Sequence, residues 1–270
     1  MDWRRVLVPL SGGESDGRTL AAAAAVAAPF KAELSAAHAP ADIADLIPWM
    51  GDGFMGGVQA AALDSIRRAG SEGEQAARTA VETCGYARAT FTALKSPVGT
   101  ALAMEGRLSD VVVFDDAAAR GRGPLGEAFR QILASEQRPV IVARPGLRLD
   151  GVAALAGDGG KEASRAMRTA LPLLQRASKV VVVTAPGSSS RKFDLDALKR
   201  FLAARGIACE VDCLTTTGDP APPILGAVRH AGADILIAGA FGHPRLQEYI
   251  FGGTTRGFLN ADGPSLFLSH

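Results

Sequence analysis

Short apolar runs alternate with amphipathic, alanine-rich stretches along this chain. Val6–Leu10, Glu33–His38, Thr90–Leu94, Asp110–Phe114 and Val140–Ala143 have the length and composition of strands. Between them, Gly17–Ala28, Val58–Gly85, Gly99–Ser109 and Glu127–Ser135 repeat their apolar positions at helical spacing. After a break at Arg144-Pro145-Gly146 the order returns. Strands are predicted at Val152–Ala156, Lys179–Ala185, Ile207–Cys213, Asp234–Ala238 and Ser265–Leu268. Helices are predicted at Lys161–Ala177, Leu195–Arg205, Pro222–Ala231 and Gly253–Leu259. Strands alternating with helices imply a parallel, doubly wound α/β sheet in each half.

The two halves repeat one another in order. Ser11-Gly12-Gly13-Glu14 aligns with Asp158-Gly159-Gly160-Lys161, each just after a first strand. Asp110–Phe114 aligns with Asp234–Ala238, and Leu125–Leu133 with Phe251–Leu259. The chain reads as a tandem duplication of two domains, 1–147 and 148–270. The first half carries an extra segment, Ala41–Gly57, read as a surface loop, with a lid or a dimer contact as alternatives.

A chain of 270 residues, 47% hydrophobic and 21% charged, has enough apolar material for a core without disulfides. Its net charge of +1 offers no footprint for nucleic acid or for an acidic membrane face. No apolar run reaches the roughly 18 residues of a membrane span, and the N-terminus runs into its first strand without a signal core. A cytoplasmic protein is expected. Cys209 and Cys213 are four residues apart on a predicted strand, too far for a disulfide, so the three cysteines are expected reduced.

Three glycine patterns compete. Gly13-x-Ser15-x-Gly17 follows the first strand, so no earlier loop can build an oxyanion hole, and Ser15 fits a helix cap better than a nucleophile. Gly121-x-Gly123-x-x-Gly126 follows the fourth strand, not the first, and is misplaced for a dinucleotide fingerprint. The third is the strongest. Gly239 and Gly242 sit at a strand's C-terminal end, and Gly252-Gly253-Thr254 opens the last helix with free N–H groups and a positive dipole end. Two such turns at the ends of one open sheet describe a crevice for nucleotide phosphates. The histidines His38, His230, His243 and His270 have no metal spacing, and no catalytic set is expected.

The chain resembles the universal stress protein family in its tandem form. The resemblance rests on Val6-Leu7-Val8-Pro9, on Asp158-Gly159 after a first strand, and on the G-x2-G-x9-G spacing of Gly239, Gly242 and Gly252. It implies two five-stranded parallel-sheet domains whose last strands pair. It further implies an adenine nucleotide (ATP, ADP or AMP) in the C-terminal domain, held by Asp158, Gly239, Gly242 and Gly252, to which the helix opening read above adds Gly253 and Thr254. The family usually has Ser or Thr after the third glycine, where this chain has Gly253. The first half departs further, with Ser11, Asp115, Ala118 and Glu127 at the matching positions, and reads as a retired site. The expected role is a regulatory, stress-response protein with an unidentified protein partner and a homodimeric state. The alternatives are an interaction protein of the same fold that binds no nucleotide, and a slow ATP hydrolase.

Overall fold

The computed structural model describes residues 2–40, 57–95, 97–185, 194–215, 218–240 and 253–270. They form two compact units. One is Arg4–Ile132, here the first unit; the other is Leu133–His270 with Met1–Trp3, here the second.

The first unit carries β1 (Arg5–Leu10), β2 (Glu33–His38), β3 (Ala89–Ala93) and β4 (Val111–Asp115) in the parallel order β3-β2-β1-β4. Its helices are α1 (Asp16–Ala27), α2 (Gly57–Thr83), α3 (Val98–Gly106), α4 (Asp116–Ala119) and α5 (Gly126–Arg130). Leu7, Leu20, Leu34, Leu102 and Ile132 are fully buried, and Phe114 meets the edge of Phe129 at 5.3 Å between centroids.

In the second unit come β5 (Val140–Ala143), β6 (Val152–Ala156), β7 (Lys179–Thr184), β8 (Glu210–Cys213), β9 (Ile235–Gly239) and β10 (Ser265–Ser269). Their order is β5-β10-β9-β6-β7-β8. The helices are α6 (Lys161–Thr169), α7 (Leu171–Leu174), α8 (Leu195–Ala203), α9 (Ala221–His230) and α10 (Gly253–Asn260). Every neighbouring pair of strands is parallel except β5 and β10, which run antiparallel with Val142 opposite Leu266 and Val140 opposite Leu268. The last strand of the first repeat thus pairs with the last strand of the second, as expected. Trp3 stacks on Phe267 of β10, ring planes 2° apart.

Each repeat supplies five strands, so the fold is the tandem doubly wound α/β architecture read from the sequence. One landmark of the repeat has a shared job. Asp110 Oδ2 accepts from the N–H groups of Arg4 and Arg5 at 2.6 and 2.9 Å. Asp234 Oδ2 accepts from Val152 N–H at 2.8 Å. Each carboxylate, just before the fourth strand of its repeat, ties down the start of the first strand.

Several elements depart from expectation. The helix predicted over 161–177 breaks at Ala170, because Pro172 in the first turn of α7 lacks an N–H and its ring crowds the carbonyl four residues earlier. The helix predicted over 127–135 is α5 followed by a wider π-type turn over Gln131–Ser135. Helix α4 falls where no helix was predicted. Ser15 does stand at the N-cap of α1, yet its hydroxyl makes no capping bond. The cysteines are free, with Cys213 exposed. The segment 41–56 lies outside the described residues.

Candidate functional site in the second unit

Strands β6 and β9 are neighbours, and their onward connections leave in opposite directions, β6 to β7 and β9 to β10. Such a switch point opens a crevice at the strands' carboxyl ends. Asp158 lies there, two residues past β6 and exposed, with Oδ1 accepting from Gly160 N–H at 2.7 Å. Gly159 between them has φ +74°, a left-handed conformation that favours glycine. Among the described residues the N–H groups of Asp158 and Gly159 meet no acceptor. Gly253 opens α10, and a β-carbon there would meet nothing within 4 Å among the described residues. Thr254 beside it is half-buried. Gly242, Gly252, His243 and Arg245 lie outside the described residues.

Gly239 has a different setting. A β-carbon at this residue would lie 2.5 Å from Ala163 N and 2.6 Å from Glu162 C, both in the first turn of α6. The missing side chain lets α6 press against the end of β9. Glu162 is itself buried in that turn, with Oε1 3.4 Å from Lys161 Nζ, a residue pair that sequence reasoning did not single out. At the far end of α10, the buried Arg144 donates through Nη2 to the carbonyls of Phe258 and Leu259 and through Nη1 to that of Pro264, each at 3.1 Å. A cation on the last carbonyls of a helix satisfies groups that have no intrahelical partner and complements the dipole. Arg144 thereby anchors the helix whose opposite end begins at Gly253.

The matching loop of the first unit is closed on itself. Asp16, 3% exposed, accepts from the N–H and the hydroxyl of Ser11 with Oδ1 at 3.0 and 2.9 Å, and from Gly12 N–H with Oδ2 at 2.7 Å. The aligned residue in the second unit is Ala163. Helix α2 presses on the same loop, where a β-carbon on Gly12 would lie 2.5 Å from Gly73 Cα. His38, at the end of β2, is buried, with Nδ1 3.0 Å from Leu10 O and Nε2 without a partner among the described residues. Asp115, aligned with Gly239, caps α4 by accepting from Ala118 N–H at 2.8 Å. Glu127, aligned with Gly253, pairs with Arg130 and accepts from Gln131 Nε2 at 3.3 Å. Of the residues read as retiring this site, Ser11, Asp115 and Glu127 are engaged through their side chains within their own unit. Asp16 was legible only as an acidic residue in a first helical turn, a signal too common to single out.

No family model matches the chain, and no curated protein matches it. Solved structures do match. A universal stress protein from Archaeoglobus fulgidus aligns over 99% of this chain and 96% of its own, with TM-score 0.69 and 17% identity. The chain has the universal stress protein fold. A functionally unknown protein from Pseudomonas aeruginosa aligns over 99% of this chain and 92% of its own, with TM-score 0.58 and 15% identity. At these identities the likeness is one of fold, and both alignments span the two repeats of a tandem universal-stress-protein arrangement. Among the described residues, no helix is long and apolar enough to cross a membrane, and no group of three or more His, Cys, Asp or Glu could hold a metal ion.

Proposed function

We propose that this chain is a regulatory stress-response protein that takes an adenine nucleotide in its second unit, at the crevice between Asp158 and the start of α10. The observation that carries the proposal is the contrast between the two aligned loops. In the first unit the donors of Ser11 and Gly12 are taken by Asp16. In the second unit Ala163 offers no carboxylate, Asp158 stays exposed, and among the described residues nothing fills the space at Gly253. Asp158 Oδ2 and the nearby N–H groups suit the hydroxyls of a ribose, and the opening turn of α10, with Gly252, Gly253 and Thr254, suits the phosphates. Gly239 contributes by setting α6 against β9, and Gly242 is assigned to the same crevice by its spacing.

A cytoplasmic location, a homodimeric state and an unidentified protein partner belong to the same proposal. Native mass spectrometry of the protein as purified, followed by titration calorimetry with ATP, ADP and AMP, tests it. One nucleotide per chain is expected; two equivalent sites would contradict the closed loop of the first unit. One observation favours the second reading, an interaction protein of this fold without nucleotide. The glycine at 239 is accounted for by the packing of α6 alone. No nucleotide in either measurement would select that reading.

A further inference from the structure

A groove of about 530 Å³ runs between α6 and α8 in the second unit. Leu155 and Ala156 of β6 form its floor, with Met167 of α6 and Leu198 and Phe201 of α8 along its walls. Helix α8 has 9 residues, whereas α2, at the aligned place in the first unit, has 27. Leu155, Met167 and Leu198 are buried where they line the groove, and Phe201 is half-buried.

The charges on this groove are unequal. Arg168 and Arg205 line it, and neither meets a carboxylate among the described residues. Arg205 is held in place, its Nη1 donating to Phe201 O at 2.8 Å and its guanidinium 3.7 Å over the Phe201 ring centroid. A guanidinium stacked in this way still has donors to offer at its edge. Among the described residues the one acidic side chain of the lining, Asp194, is already engaged, because Oδ1 caps α8 at Ala197 N–H and Oδ2 lies 3.9 Å from Arg200.

A cavity of a few hundred cubic ångströms with apolar walls and a few converging polar groups is the usual form of a small-molecule site. From the apolar floor and the two arginines we infer that this groove binds a small anionic amphiphile, a planar or branched apolar body bearing one acidic group. The apolar body lies against Leu155, Met167, Leu198 and Phe201, and the acidic group faces the arginines. The upper end of the groove meets the nucleotide crevice at Gly157, Gly159 and Ala163, whereas its two arginines stand on α6 and just past α8 rather than on the loop that carries Asp158.

The test uses the full chain and two fluorescent probes, 8-anilinonaphthalene-1-sulfonate and its neutral analogue N-phenyl-1-naphthylamine. The sulfonate should bind saturably at one site per chain and at least about tenfold more tightly than the neutral probe, the value of roughly one charge-assisted hydrogen bond. Near-UV circular dichroism should stay unchanged, which separates a formed site from a loosened core. Arg168→Glu and Ala197→Trp alter exposed positions on the rim and wall. Each should weaken the sulfonate about tenfold or more while thermal unfolding stays cooperative. Unsaturable binding, equal affinity for both probes, or indifference to both substitutions would overturn the inference. Competitive displacement by ATP would also overturn it, because the groove would then be part of the nucleotide site.

Discussion

Asp16 accepts both the backbone N–H and the hydroxyl of Ser11 through a single carboxylate oxygen, at 3.0 and 2.9 Å. This carboxylate sits where the loop after a first strand would otherwise present its donors to an anion. The first unit supplies its own anion, and the aligned loop of the second unit, with Ala163, does not.

Replacing Asp16 with Ala should therefore destabilise the first unit. The carboxylate is buried and serves three donors, so the substitution strands two N–H groups and a hydroxyl. The expected loss is about 2–3 kcal/mol, read by urea unfolding. Nucleotide affinity of the second unit should not change, and calorimetry checks that.

Gly239→Ala should destabilise the protein without any ligand present. Its methyl group would overlap backbone atoms of Glu162 and Ala163 at 2.5–2.6 Å, which forces α6 away from β9. Overpacking of this kind costs about 1–3 kcal/mol. An unchanged melting temperature of the ligand-free variant would mean that glycine is not needed there for packing.

Gly253→Glu separates binding from folding. Among the described residues nothing lies within 4 Å of a β-carbon at this position, and an acidic residue in a first helical turn favours the dipole, so the ligand-free melting temperature should hold or rise slightly. Beside phosphates the new carboxylate opposes binding, by about 4 kcal/mol for a like-charge pair near 4 Å at an effective dielectric of 20. Thr254→Ala should cost only about 1 kcal/mol of affinity, one neutral hydrogen bond. A Glu variant that binds ATP as the parent does would remove the phosphates from α10.

Arg144→Ala should loosen α10. The guanidinium serves three carbonyls at 3.1 Å while 7% exposed, and its loss leaves them buried without partners. Hydrogen exchange should rise first in α10 and β10, with a stability loss of about 2–4 kcal/mol. Arg144→Lys should recover only part of it, since an ammonium cannot span the three acceptors as a planar fork does.

The thiols should react in a fixed order. Burial pushes the pKa of Cys209 up, and the nearby Lys199 ammonium offsets this only in part. Less thiolate is present at a given pH, and the thiolate is the nucleophile. Cys213 is exposed, so iodoacetamide at pH 8 should label it before Cys209. Raising the pH should then speed labelling of Cys209, and peptide mass spectrometry follows both.

The alternation of strands and helices and the tandem repeat were determined by the sequence alone. They follow from local periodicity and from landmarks in fixed order, such as Asp110 and Asp234. The spacing of Gly239, Gly242 and Gly252 likewise carried the resemblance. Only the tertiary structure decided what individual residues do. A glycine in the sequence is a missing β-carbon, but whether a ligand or a helix uses that space depends on how α6 crosses β9. An aspartate in a first turn is a charge near a dipole, but only the fold of the loop brings Asp16 back onto Ser11 and Gly12. The groove beside α8 was invisible for the same reason: its lining comes from β6, α6 and α8 together and belongs to no single segment.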